Sequence, residues 1–176
     1  MTMWVFGYGS LLWNPGFPVV RSERATLHGF ARSFCMSSIH HRGTEEKPGL
    51  VLALDEVAGA HCTGLALAVE GGAEAETLDY LRERELISSA YVERDLEVEL
   101  HTGDLVTAVT YVIDADHVQY CGGLPLEEQA QIIARARGKM GPNWEYLYNT
   151  ALQLRELGIS DADLDWLENR VREIIG

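Results

Sequence analysis

Positive charge is scarce in this chain. Its 176 residues hold 14 Lys and Arg against 27 Asp and Glu, a formal net charge of -13. Gripping a nucleic-acid backbone calls for the opposite balance, and an anionic membrane surface repels so acidic a chain. Neither nucleic acid nor a membrane is therefore expected as a partner. Long apolar runs are missing as well: no segment approaches the ~18–20 unbroken apolar residues of a transmembrane helix. The opening Met1-Thr2-Met3-Trp4 shows no basic region leading into an apolar stretch, so no signal peptide is expected. Cysteine is limited to Cys35, Cys62 and Cys121, an odd and widely spaced set. That fits reduced thiols in a cytoplasm better than a disulfide framework. Internal repeats, low-complexity tracts and linker-like stretches are absent. What remains, 47% hydrophobic and 23% charged, reads as one domain over residues 1–176, long enough to bury a single core.

Strands dominate the first two thirds. Met3 to Tyr8 is aromatic and apolar, then Gly9-Ser10 interrupts it, the pattern of a short buried strand ending in a glycine turn. Trp13 to Pro18 has the turn formers of a loop. Ala25 to Met36, Gly49 to Leu54 and Cys62 to Glu70 are further strand candidates, with a loop over His40 to Pro48. Val92 to Leu100 alternates with the period of a half-buried strand, and Leu105 to Ile113 follows it. Helices take over afterwards: Pro125 to Arg137 with Gly138 as its stop, Asn143 to Leu157 with Gly158 as its stop, and a last helix capped by Ser160 with Leu164, Leu167, Val171 and Ile174 as its apolar stripe. One helix interrupts the strands, Glu74 to Leu86. At about 100° per residue Leu78, Leu81 and Glu85 share one face, and Glu76 and Glu83 project to the other side. Glu85 thus occupies either a core-facing position or the solvated end of a helix that stops before it.

Few residues invite chemistry on pattern alone. Gly7-Tyr8-Gly9-Ser10-Leu11 is either an ordinary glycine turn or one whose N–H groups converge on an anion. It lacks the Gly-Lys-Ser/Thr of a P-loop, the third glycine of a dinucleotide fingerprint, and the Gly-x-Ser-x-Gly elbow of hydrolases. His28, His40 and His41 come without Glu-x-x-His or Cys-x-x-Cys spacing, and adjacent His40 and His41 would point apart in a strand, so no metal is expected. Arg42 in His41-Arg42-Gly43 is either a surface arginine or a guanidinium for a carboxylate. Asn143 to Tyr148 brings several aromatics to a helix start, mostly as core, with one phenol able to reach a pocket. None of the cysteines has a neighbour that suggests a nucleophile.

Together these residues resemble a known family. Trp4-Val5-Phe6-Gly7-Tyr8-Gly9-Ser10-Leu11-Leu12-Trp13 is similar to the N-terminal signature of the ChaC family, the glutathione-specific γ-glutamylcyclotransferases. Three further blocks follow in the same order: His41-Arg42-Gly43-Thr44 with Pro48-Gly49, Tyr80-Leu81-x-x-Arg84-Glu85, and Gly141-Pro142-Asn143-x-Glu145-Tyr146-Leu147. The resemblance implies a mixed α/β (α+β) fold, a small β-barrel-like sheet with surrounding helices. It also implies a cofactor-independent reaction that cyclises the glutamyl group of glutathione to 5-oxoproline and releases Cys-Gly. By the same resemblance Glu85 is the catalytic acid–base residue, and Val5, Phe6, Gly7, Tyr8, Gly9, Ser10 and Leu11 form the substrate loop. A second glutamate aligns with Glu76 and a tyrosine with Tyr146, and Arg42 is the candidate for a substrate carboxylate. The chain departs from the Gly-Gly-Tyr of some relatives in having Ser89-Ala90-Tyr91. A monomer or weak homodimer is expected. The alternatives are a cyclotransferase for another γ-glutamyl amine or amino acid, and a non-catalytic binding domain on the same scaffold.

Overall fold

The computed structural model describes residues 2–86 and 89–176. The chain divides into two compact units, Met1–Arg32 with Ala53–Val118 and Ser33–Leu52 with Gln119–Gly176. The expected α+β class forms, with a closed mixed barrel of five strands. Strand β1 (Trp4–Gly7) is buried along its whole length. It pairs antiparallel with β3 (Gly49–Val69), Trp4 opposite Ala68, and parallel with β5 (Leu105–Ile113), Trp4 opposite Ala108. A strand with neighbours on both edges and no solvated face must be apolar throughout, which accounts for its unbroken Trp-Val-Phe. β2 (Val19–Ser38) and β4 (Tyr91–Leu100) complete the ring in the order β1-β3-β2-β4-β5. β4 and β5 form a hairpin with Tyr91 opposite Ile113 and Glu99 opposite Leu105.

Two strands are longer than the apolar pattern suggests. β2 begins at Val19 rather than Ala25, and the segments expected over 49–54 and 62–70 are one strand. The intervening Asp55 to His61 is largely exposed. There backbone pairing with β2 carries the strand and no buried face marks it in the sequence. Helix α1 (Glu74–Glu85) follows β3 and belongs to the first unit.

In the second unit α2 (Leu126–Arg135), α3 (Asn143–Glu156) and α4 (Ala162–Ile175) pack on one another. Each does so through a stripe at helical spacing: Ala130 and Ile133, then Leu147, Ala151 and Leu154, then Leu164, Leu167 and Val171. α2 ends two residues before the expected Arg137. Ala136 turns extended, and Arg137–Gly138 (β6) pairs with Gly141–Pro142 (β7) in a two-residue ladder. The turn between them is tied back by Lys139 N–H to the His40 carbonyl and Met140 N–H to the His41 carbonyl, both 2.9 Å. Gly158, at φ 73, closes α3 as expected. The last helix is capped by Asp161 rather than Ser160: the Asp161 carboxylate accepts from the Leu164 N–H at 3.1 Å. Both residue types cap well, and they stand side by side. Among the described residues no helix is long and apolar enough to cross a membrane.

Candidate active site

The first unit gathers the glycine turn and the acidic helix. After β1 the chain makes a 3-10 turn at Ser10–Leu12. The N–H groups of Leu12, Trp13 and Asn14 close onto the carbonyls of Gly9 and Ser10, at 2.8–3.2 Å. The opening of any helical turn leaves its leading N–H groups without partners inside the turn. Here those groups belong to Gly9, Ser10 and Leu11. The strand end beneath is held by side chains of the barrel. The Tyr8 hydroxyl donates to the Tyr111 carbonyl at 2.8 Å, and Arg32 donates to the carbonyls of Tyr8 (3.3 Å) and Thr63 (2.9 Å).

α1 brings the carboxylate. Leu81 is fully buried, Leu78 is half-buried, and the Glu85 side chain is only 15% exposed. The face that helical spacing predicts is therefore the face that turns inward, with Thr77 two turns before Glu85 on the same line. The Thr77 hydroxyl is buried and has no hydrogen-bond partner among the described residues. Burial raises the Glu85 pKa above the usual carboxylate value, and the adjacent Arg84 guanidinium, with Nε 3.6 Å from Oε1, opposes that rise. Tyr111 of β5 lies within the field of Glu85. Its phenol is pushed far up by burial, by a 2.8 Å hydrogen bond to Glu93 and by the nearby charges of Glu93 and Glu85. A proton acceptor held above the ordinary carboxylate range can take a proton from a bound amine and return it nearby.

Arg84 joins the two parts. Its Nη2 donates to Ser10 Oγ at 2.9 Å, and its Nη1 donates to the carbonyls of Asn14 (2.6 Å) and Pro15 (3.0 Å) and to the Tyr80 hydroxyl (3.0 Å). The Tyr80 phenol presses on the backbone of Gly16, where φ is 76 and a Cβ would collide with the ring. No other residue type fits this position without moving Tyr80.

The second unit gathers the other two blocks of the resemblance. Arg42 is buried, its side chain 5% exposed, and Nη1 donates to the Pro142 carbonyl (3.0 Å) and to Glu145 Oε1 (3.1 Å). The guanidinium lies 5.8 Å from the centre of the Tyr146 ring. The Tyr146 hydroxyl accepts from the Leu52 N–H at 3.2 Å. Asn143 pairs with the backbone of Leu50 in both directions, Oδ1 accepting and Nδ2 donating at 2.8 Å each. Arg42 is thus no surface arginine, although a carboxylate of the chain already meets it.

Arg84 touches both Ser10 and Glu85, and Val5 and Phe6 are fully buried strand residues of β1. The structure puts Glu76 in the exposed first turn of α1, on the side of the helix away from Leu81. Arg42 and Tyr146 meet each other in the second unit. Arg84, Tyr80 and Tyr111 were not singled out by sequence reasoning. The only signal for the first two was their place in the Tyr80-Leu81-x-x-Arg84-Glu85 block, and nothing marked Tyr111 among the other barrel residues.

Residues 3–174 match the family model for ChaC-like proteins. The chain is 34% identical over 173 residues to a glutathione-specific γ-glutamylcyclotransferase of Escherichia coli, covering 98% of this chain and 74% of that protein. It is 36% identical over 181 residues to γ-glutamylcyclotransferase 2-1 of Arabidopsis thaliana, covering 98% and 83%. The crystal structure of a yeast γ-glutamyl cyclotransferase specific to glutathione superposes with a TM-score of 0.87 at 24% identity, over the full length of both chains, and so shares the fold.

Proposed function

This chain belongs to the ChaC-like protein family, and on that premise we propose that it cleaves glutathione by cyclising its γ-glutamyl group, with Glu85 as the single acid–base residue. The observation that carries the proposal is the inward-facing, desolvated Glu85 carboxyl in the same unit as the glycine turn, the two joined by Arg84. The substrate's α-amine attacks its own γ-carbonyl carbon. A C–N bond forms in the five-membered lactam and the C–N bond to the cysteinyl nitrogen breaks, giving 5-oxoproline and Cys-Gly. Holding the glutamyl chain folded makes this a near-attack geometry, an arrangement that can contribute ~7–11 kcal/mol.

Two protons must move. The amine, with an ordinary pKa of about 7.7–8.0, arrives as an ammonium with three N–H protons and ends as a lactam nitrogen with one; of the two protons it loses, one goes to the departing nitrogen as the amide bond breaks and the second brings that nitrogen to an ammonium. An exposed glutamate is a weak base for an ammonium. Burial of Glu85 narrows the gap, and the same carboxyl then protonates the leaving nitrogen. The N–H groups of Gly9, Ser10 and Leu11 face the developing oxyanion or the substrate's α-carboxylate. Such donors contribute ~3–4 kcal/mol each in a dry site. Ser10 donates or accepts a hydrogen bond and forms no acyl intermediate. Glu76 faces away from Leu81 and Glu85 on α1 and is given no part in this site; Arg42 and Tyr146, in the second unit, are substrate-side candidates on sequence grounds alone. The reaction calls for no metal or cofactor. The working unit is residues 1–176 as one domain, a cytoplasmic monomer or weak homodimer.

The test is to incubate the purified protein separately with glutathione, γ-Glu-Ala and γ-Glu-ε-Lys and to measure 5-oxoproline. Product from glutathione alone supports the proposal. Product only from another donor replaces glutathione as substrate, and no product from folded protein leaves a binding domain.

A further inference from the structure

We infer that Arg84 is a positioning residue, whose guanidinium fixes the glycine turn against the acidic helix. The inference rests on the reading of Glu85 as the acid–base group. Its basis is the number and kind of Arg84 contacts. One side chain on α1 reaches Ser10 at the front of the 3-10 turn, two successive carbonyls behind it, Asn14 and Pro15, and the Tyr80 hydroxyl one helical turn away. The carbonyl acceptors lie in the loop that leaves the turn, so the guanidinium grips the turn from both ends. A planar fork meets acceptors in these fixed directions at once, with Nη1 sharing its two N–H groups among the Asn14 and Pro15 carbonyls and the Tyr80 hydroxyl; an ammonium on a flexible stem does not hold that geometry.

The grip is built on its far side too. The Tyr80 phenol that shares Nη1 is lodged on Gly16 at a positive φ. The whole loop from Ser10 to Gly16 therefore seats on one helix face. Glu85, next in sequence to Arg84, lies on the adjoining Leu78–Leu81 face with its Oε1 3.6 Å from Arg84 Nε. The turn's N–H donors and the acid–base carboxyl are then held at a set separation by a single cation.

The same cation acts on the proton. Among the described residues, Arg84 on its own helix and Tyr111 of β5 interact electrostatically with Glu85. Tyr111 stays a neutral phenol across the working pH range because burial and Glu93 keep its proton on. Arg84 alone supplies a permanent charge. Burial drives the Glu85 pKa up and Arg84 holds it back, so the carboxyl is ionised over a wider pH range than burial alone would allow.

Arg84→Met, Arg84→Lys and Glu85→Gln are compared with the parent protein by measuring kcat and KM for 5-oxoproline formation across pH. Arg84→Met is expected to lose about a hundredfold in kcat, the order of loss for a misplaced reacting group, and its acid limb is expected to move to higher pH because the opposing charge is gone. Arg84→Lys keeps the charge, so its acid limb stays near the parent's, while kcat still falls because the fork is lost. Arg84→Lys at parental kcat overturns the inference, as does an unmoved acid limb in Arg84→Met. If Arg84→Met does not fold, Arg84→Lys decides. Activity retained in Glu85→Gln overturns the acid–base reading itself. An inactive Glu85→Gln beside parental kcat in Arg84→Lys overturns only the role of Arg84.

Discussion

Replacing Glu85 by Gln separates chemistry from structure at a single atom. The amide has nearly the shape of the carboxyl, so it leaves no cavity under α1, and it can neither take nor give the proton. General acid–base transfer is worth roughly 10²–10⁴-fold. Here one group serves both the attacking amine and the leaving nitrogen, so a loss of about 10³-fold or more in kcat is expected, or about 4 kcal/mol at 1.36 kcal/mol per decade. Stability should move the other way. Burial raises the folded pKa of Glu85 above its unfolded value. Between the two values the folded state holds the proton and the unfolded state does not, so stability falls as pH rises through that window. Gln has no such window. The variant should be at least as stable as the parent at pH 7–8, and the difference should vanish at acid pH below the unfolded Glu value. The assay is 5-oxoproline formation from glutathione alongside thermal unfolding at both pH values. A folded Glu85→Gln protein turning over at the parental rate would refute the reasoning, and a variant less stable at neutral pH would refute the burial argument.

Ser89 sits at φ 61, in the left-handed region. Ser89→Gly should raise unfolding stability by about 1 kcal/mol, the order of the left-handed penalty for a residue with a Cβ; a loss in urea denaturation contradicts this. Asn143→Ala leaves the Leu50 N–H and carbonyl without their partner in a buried site. It should cost about 2–4 kcal/mol in the same measurement, and a change no larger than the ±0.5 kcal/mol of a surface substitution would show that water reaches the pair. Gly16→Ala must displace Tyr80 and with it the Arg84 contact. It should lower kcat more than it raises KM, and parental kinetics would mean that the loop is not held from α1.

What the sequence showed of this molecule followed what each feature depends on. Strand β4 was legible because its alternation is written in Leu96, Val98 and Leu100, although Val92 turns out to solvent and Glu93 turns in to Tyr111. The three late helices were legible because Ala130, Leu147 and Leu164 begin stripes that a helix must bury. The middle of β3 was not, because Asp55 to His61 is strand by backbone pairing alone and its side chains face solvent. The Asp161 cap was one residue away from Ser160, a choice that hydrogen-bond geometry settles and composition does not. In the site, Glu85 stood out because a charge on an apolar face is a conflict visible in the helical wheel. Arg84 did not, because two of its acceptors are the backbone carbonyls of Asn14 and Pro15, some seventy positions earlier. Every residue has a carbonyl, and only the fold selects those two.

The central claim is that the Glu85 carboxyl is a buried proton carrier. The most direct measurement is its own titration, by carbon NMR of protein labelled at glutamate side chains, with the Glu85→Gln spectrum identifying the signal. The account predicts a midpoint above the usual carboxylate value of 4.5, coinciding with the acid limb of kcat for glutathione cleavage. A midpoint at or below 4.5, or one unrelated to the acid limb, contradicts it.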